Sequence, residues 1–155
     1  MIILGLNSDD IGTQLEHLTR RLLEHHSYQN IELNAVGPGG QELDITAEFP
    51  MPNVGGGVAA PEKLIGECKA HQARMALPEW LKFIGKLHVA AVTTHQPRRG
   101  LFVALNGVNS NVRESFRQLL AEGARLTLLE GDQLLDEALQ VFGGVNRAGA
   151  VEALV

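Results

Sequence analysis

The sequence predicts an α/β protein whose mixed central sheet is covered by helices on both faces. Three observations carry this. Runs with apolar residues at every second position alternate with runs whose apolar residues recur every third or fourth, so strands and helices interleave. The first two strand-like runs, "NIELNAV" and "ELDITAEF", are joined by "GPGGQ", the composition of a hairpin turn. A later run, "GLFVALNG", is short and continuously apolar, as buried strands are, and a helical stretch separates it from a fifth strand, "RLTLLEG".

Taken in order, Ile11, Leu15, Leu18 and Leu22 fall at steps of four, three and four. That stripe predicts a helix over Asp9 to His26, capped by Ser8 or Asp9. In the first strand Ile31, Leu33 and Ala35 alternate with polar neighbours. In the second, Leu43, Ile45, Ala47 and Phe49 share one face, and Glu42, Asp44, Thr46 and Glu48 the other. Pro50 to Lys63 is rich in Pro and Gly and reads as a loop. "LIGECKAH" is the third strand, with Glu67 and Lys69 on one face, joined by His71 if the strand continues, and Cys68 on the other. Met75 to Thr94 is helical through Leu77, Leu81, Ile84, Leu87 and Ala91, with Pro78 tolerated in the first turn. Ser110 caps "NVRESFRQLLAEG", which Gly123 ends, and "DQLLDEALQVFGG" is the last helix. One domain is expected over residues 1–142, with 143–155 a tail or a linker to a further domain.

Composition agrees with a single domain. The chain has 155 residues, 45% apolar and 20% charged, enough for one core and ordinary for a globular protein. No apolar run approaches the ~18 residues of a spanning helix, and "MIILGLNSDD" lacks the basic flank of a secretory peptide, so no membrane is expected. One cysteine cannot form an internal disulfide, which suits a cytoplasmic location. The net charge of −5 argues against a general coat for nucleic acid but leaves room for a local basic groove.

The chemistry converges on two strands. If strands two and three are neighbours, Asp44, Glu67 and Lys69 can meet. Two carboxylates placed close together repel unless a positive charge lies between them. Mg²⁺, or Mn²⁺, suits such oxygen donors and keeps room for water and a phosphate. A lysine beside it can orient water and offset the charge of a phosphoryl transition state. The bland reading of the same residues is a surface ion pair on a strand, with Asp44 simply solvated.

Asp44 followed by Glu67-Cys68-Lys69 after a loop resembles the PD-(D/E)xK nuclease motif. The order of elements resembles the restriction-endonuclease-like core. "GTQLEHLTRRLLEHHSYQNIEL", "GPGGQELDITAEF", "IGECKAH" and "RLTLLEGDQLL" are similar to the Mrr-like, type IV restriction branch, over about Ile11 to Leu135. The resemblance implies a three-layer α/β/α restriction-endonuclease-like fold and a Mg²⁺-dependent endonuclease acting on DNA in defence or DNA processing. It implies that Asp44 and Glu67 bind the metal, that Lys69 is the catalytic lysine, and that Glu16 is an outer or second-metal ligand. Leu43 stands where the wider family has proline, which the Mrr-like branch often lacks. Glu67 stands where many of that branch have glutamine, which favours an intact metal site.

Several choices stay open on the residues alone. Glu16 is also an ordinary surface acid of an amphipathic helix. His71 either touches a phosphate or ends a strand. Arg74, Lys82 and Lys86 either line a DNA groove or solvate a helix face. His17, His25 and His26 lack the spacing and the cysteine partner of a zinc site. Cys68 is expected to pack behind the active face. "GPGGQE" and "GGGVAAPEK" lack the remaining residues of dinucleotide and phosphate-binding loops. Because one such site cuts one strand, a homodimer or larger assembly is expected, with an ATPase or recognition domain as a further partner. The rival to the nuclease is a non-catalytic nucleic-acid-binding or protein-interaction module on the same fold.

Overall fold

The computed structural model describes residues 7–52, 55–56 and 59–141, and the expected tail over 143–155 lies outside them. The elements run α1 (Ser8–His25), β1 (Gln29–Val36), β2 (Glu42–Phe49), β3 (Glu62–Lys69), α2 (Leu77–Thr94), β4 (Arg99–Ala104), α3 (Ser110–Ala121), β5 (Leu126–Glu130) and α4 (Gly131–Val141). The five strands lie in sequence order across one sheet. The first three are antiparallel neighbours, and β3, β4 and β5 run parallel. The long connections through α2 and α3 are what parallel neighbours require.

The layers follow from the sheet's alternation. Leu15, Leu18 and Leu22 of α1, with Leu134 and Ala138 of α4, pack on Ile45, Leu64, Leu101 and Val103. Trp80, Phe83 and Leu87 of α2 and Val112 of α3 pack on Ile65, Phe102 and Ala104. The result is the three-layer α/β/α arrangement with a mixed sheet that the sequence predicts. Trp80 is the centre of the second core: its ring meets Phe83, Phe102 and Phe116, and its indole N–H donates to Ser115 Oγ at 2.9 Å. Leu87 of α2 and Leu126 of β5 crowd β4 so closely that a Cβ on Gly100 would lie 2.5 Å from Leu87 Cδ1 and 2.7 Å from Leu126 Cδ2. Among the described residues no helix is long and apolar enough to cross a membrane.

The structure corrects several boundaries. Asn7, not Ser8 or Asp9, caps α1, its side chain accepting from the Asp10 N–H at 3.0 Å. Asn109, not Ser110, caps α3, accepting from the Val112 N–H at 3.0 Å. Strand β3 starts at Glu62, because Phe49↔Glu62 and Glu48↔Lys63 pairs extend the hairpin ladder into the expected loop. It ends at Lys69, so His71 is not part of it. Met75 is not helical but forms a parallel bridge with Val108. Leu43, Ile45 and Ala47 are all buried, as the alternation predicts, but Leu43 packs with the α2-side cluster whereas Ile45 and Ala47 pack with the α1-side one.

Candidate active site

Glu67 is only 4% exposed, a carboxylate inside an otherwise apolar stretch of β3. It sits opposite Phe102 of β4 on the face covered by α2. A buried charge needs partners, and Glu67 has two. Lys69 Nζ lies 2.7 Å from Oε1, and Lys86 Nζ, reaching in from α2, lies 2.6 Å from Oε2.

Asp44 reaches the same place from β2. The last pair of the β2–β3 ladder is Ile45↔Gly66, so one further step in that register sets Asp44 across from Glu67. There the ladder gives way to a side chain: the Cys68 backbone N–H donates to Asp44 Oδ2 at 2.8 Å. Lys69 Nζ is 3.9 Å from that same oxygen, so one ammonium bridges both carboxylates. Burial pushes the Asp44 carboxyl above its ordinary value and the Glu67 charge adds to it, against the pull of the Cys68 amide. For Lys69, burial pulls downward, but the hydrogen bond and charge of Glu67 outweigh it and hold the amine above its ordinary value. Lys69 is therefore an ammonium at neutral pH: a donor and a positive charge, not a base.

Glu16, on α1, is at the margin of this cluster. Its Oε2 accepts from Asn34 Nδ2 at 3.2 Å. Burial raises its carboxyl, with the charge of Asp44 adding to the rise and that of Lys69 opposing it. Among the described residues no trio of His, Cys, Asp and Glu side chains is gathered closely enough to hold a metal. The donor set nonetheless fits a hard divalent cation: Asp44 and Glu67 offer oxygen only, and a positive group, Lys69 Nζ, already stands between them. Cys68 faces away, packed against the α1-side core with its Sγ donating to Thr19 Oγ1 at 3.5 Å, and burial pushes its thiol far above the usual range.

The remaining expected residues divide. Lys86 neither solvates a helix face nor lines an open groove: its side chain is 14% exposed and engaged with Glu67. Nothing in sequence spacing signals that contact, which α2 creates by packing across the sheet. Arg74 and Lys82 are exposed. His71 is exposed, past the strand end, and its carbonyl accepts from Asn106 Nδ2 at 2.6 Å. The chain around it is fixed from β4: the Leu105 N–H donates to the Lys69 carbonyl, and the Met75 N–H to that of Gly107, both at 2.9 Å. Glu130, which the sequence reading passed over, anchors that β4–α3 turn by accepting from the Val108 N–H and from Arg113 Nε, both at 2.7 Å. A cavity of about 530 Å³ lies on the α1 and α4 face, lined by Leu22, Tyr28, Leu64, Arg99 and Leu129 among others and by none of the clustered charges.

A family model, Mrr_cat, described as restriction endonuclease, matches residues 11–138. Two solved structures share the fold. One, a protein of unknown function designated AF1548, is 18% identical with a TM-score of 0.55, over 88% of this chain and 78% of that one. The other, the MspJI restriction endonuclease in complex with a 27-mer oligonucleotide, is 10% identical with a TM-score of 0.53. That match covers 94% of this chain but 32% of MspJI, so the chain spans about a third of that enzyme's length. No curated protein matches at a significant level.

Proposed function

The chain belongs to the restriction endonuclease family Mrr_cat, and on that premise we propose that it is a divalent-cation-dependent endonuclease that hydrolyses DNA phosphodiester bonds in defence or DNA processing. The observation that carries this reading is the meeting of Asp44, Glu67 and Lys69 at the end of the β2–β3 ladder. Asp44 and Glu67 would hold Mg²⁺ or Mn²⁺, with Glu16 an outer ligand. Such an ion, when bound, lowers the pKa of an attacking water and neutralises phosphate charge. The chain's own part is to position and to donate. The Cys68 amide orients Asp44, and Lys69 turns its N–H donors toward the water and a non-bridging phosphate oxygen. Exposed Arg74, Lys82 and His71 supply phosphate contacts at the rim, where local charge matters more than the net −5. DNA as the partner is supported by the oligonucleotide that MspJI carries.

One observation favours the non-catalytic module: both Glu67 oxygens are already taken by lysines, as in a purely structural network. One experiment separates the two. Purified protein is incubated with supercoiled plasmid and with linear duplex in Mg²⁺, Mn²⁺ or EDTA. Nicked and linear products with either metal and none in EDTA are expected. Cleavage undiminished by EDTA removes the mechanism, and tight DNA binding without cleavage under any condition favours the module.

Since one site cuts one strand, we propose that two copies of the chain act together. Leu81, Val89 and Val92 project from α2 with 53%, 42% and 57% exposure, at helical spacing around Gly85, and give a second copy an apolar stripe to pack on. Light scattering with and without duplex should report a dimer. A strict monomer that makes double-strand breaks in single encounters contradicts it.

A further inference from the structure

We propose that Lys86 is the resident counter-ion of Glu67: its ammonium occupies the carboxylate oxygen that a divalent cation needs, so that a cation enters stably only together with a DNA phosphate. This rests on reading Asp44 and Glu67 as the cation site.

The argument begins with charge. Asp44 and Glu67 are balanced by Lys69 and Lys86, a neutral group of four in a largely buried place. A divalent ion added to that group leaves two uncompensated positive charges where the dielectric is low. Two changes relieve it. An ammonium can withdraw, or anions can arrive. Lys69 is the more exposed of the two, at 23%, and has a second carboxylate, Asp44 at 3.9 Å, to turn toward. Lys86 is more constrained. It is 14% exposed, it stands on a helix packed across the sheet, and its carbonyl accepts from Gln41 Nε2 at 3.3 Å. A DNA phosphate brings one negative charge and Glu16, at the margin, brings another. Together they restore balance with both lysines charged and Lys86 still on Oε2. Lys86 is therefore a positioning residue: it couples cation loading to substrate, and with Oε2 held it leaves Glu67 only Oε1 to offer, once Lys69 has turned from it.

The test reads metal binding, not turnover. Mn²⁺ is titrated into the full chain without DNA, by electron paramagnetic resonance of the free ion. The wild type should bind weakly. Lys86→Gln and Lys86→Met should bind roughly 10-fold tighter or more, because a positive charge beside the ion has gone. Both variants should fold, since Glu67 keeps Lys69 at 2.7 Å and is not left unpaired. Lys86→Arg, which retains the charge, should bind as weakly as the wild type. Arg117→Gln, which removes an exposed charge on α3, controls for net charge. Adding a short duplex should tighten Mn²⁺ binding more in the wild type than in Lys86→Gln. If the Gln and Met variants bind no more tightly than the wild type, the role of Lys86 is wrong even where the wild type cleaves DNA. Equal tightening in Arg117→Gln overturns it too, as an effect of bulk charge. Absence of Mn²⁺ binding in every protein, with and without DNA, overturns the cation site itself and the nuclease reading with it.

Discussion

Replacing Asp44 with asparagine should abolish cleavage and, at neutral pH, raise the melting temperature. The two effects have one cause. Burial and the neighbouring Glu67 hold the Asp44 carboxyl above its ordinary value of 3.8 in the folded chain. A group whose folded pKa is raised contributes stability below its unfolded pKa and loses it as pH rises through the folded one. At pH 7 the ionised carboxylate is therefore held at a cost to the fold, and asparagine removes that cost. The amide oxygen still accepts from the Cys68 N–H, now 2.8 Å from Oδ2, so no donor is orphaned. Alanine differs here: it leaves that N–H without its partner, at about 1–3 kcal/mol. Below the ordinary aspartate value both proteins are uncharged at this position and the difference in melting should vanish. Cleavage should fall by at least about 10³-fold, the upper range for removing one group that stabilises charge in the transition state. Mn²⁺ should raise the melting temperature of the wild type, by the linkage of ligand binding to the native state, and not that of Asp44→Asn. A variant that cleaves at the wild-type rate ends the metal-ligand role. One that melts lower than the wild type at pH 7 ends the claim of a carboxylate held at a cost.

The sequence carried more of the layers than of the site. Period-two runs in β2 and β3 place Asp44, Glu67 and Lys69 on facing strands, because side-chain direction follows from backbone pleat alone. Where ladders stop is a tertiary matter. His71 lies beyond β3 because the Lys69 carbonyl is taken by the Leu105 N–H and the chain turns toward Val108. The caps differ from the expected residues for a local reason. Both helices begin with Asn-Ser, at Asn7-Ser8 and Asn109-Ser110, and either residue has the chemistry of a cap. Only the position of the first turn decides, and in both it is Asn that reaches the N–H three residues on. Lys86 is 19 residues from Glu67 in the chain and meets it through the docking of α2, which no periodicity encodes. Glu16 is a weaker case: the sequence offers an acid on α1, and the structure brings it within electrostatic reach of Asp44 without joining the cluster.

Lys69→Ala should spare DNA binding and slow single-turnover cleavage by roughly 10²–10⁴, the range for one removed acid–base or electrostatic group. The ammonium stands 2.7 Å from Glu67 and 3.9 Å from Asp44, beside any cation those carboxylates hold. Its pKa, with burial outweighed by Glu67, lies above the ordinary 10.5. A group raised in this way gives its stability below the unfolded pKa and loses it as pH climbs through the folded one. Lys69 therefore stays charged across the neutral range, and the cleavage rate between about pH 6 and pH 9 should carry no limb that disappears in the alanine variant. A lysine acting as a base would produce one. Stability separates the catalytic role from the ion pair. Lys69→Ala leaves Glu67 with Lys86 at 2.6 Å, so the buried carboxylate keeps a partner and stability should fall by less than the roughly 3–5 kcal/mol that a buried charge left with no partner costs. A loss of that size cannot account for a rate deficit at saturating protein and a temperature well below the transition. The decisive pair of measurements is thus the single-turnover rate and the thermal melt on the same preparation. A wild-type rate with a slightly lowered melt returns Lys69 to an ordinary ion pair. A collapsed rate with a nearly unchanged melt places its ammonium in the chemistry.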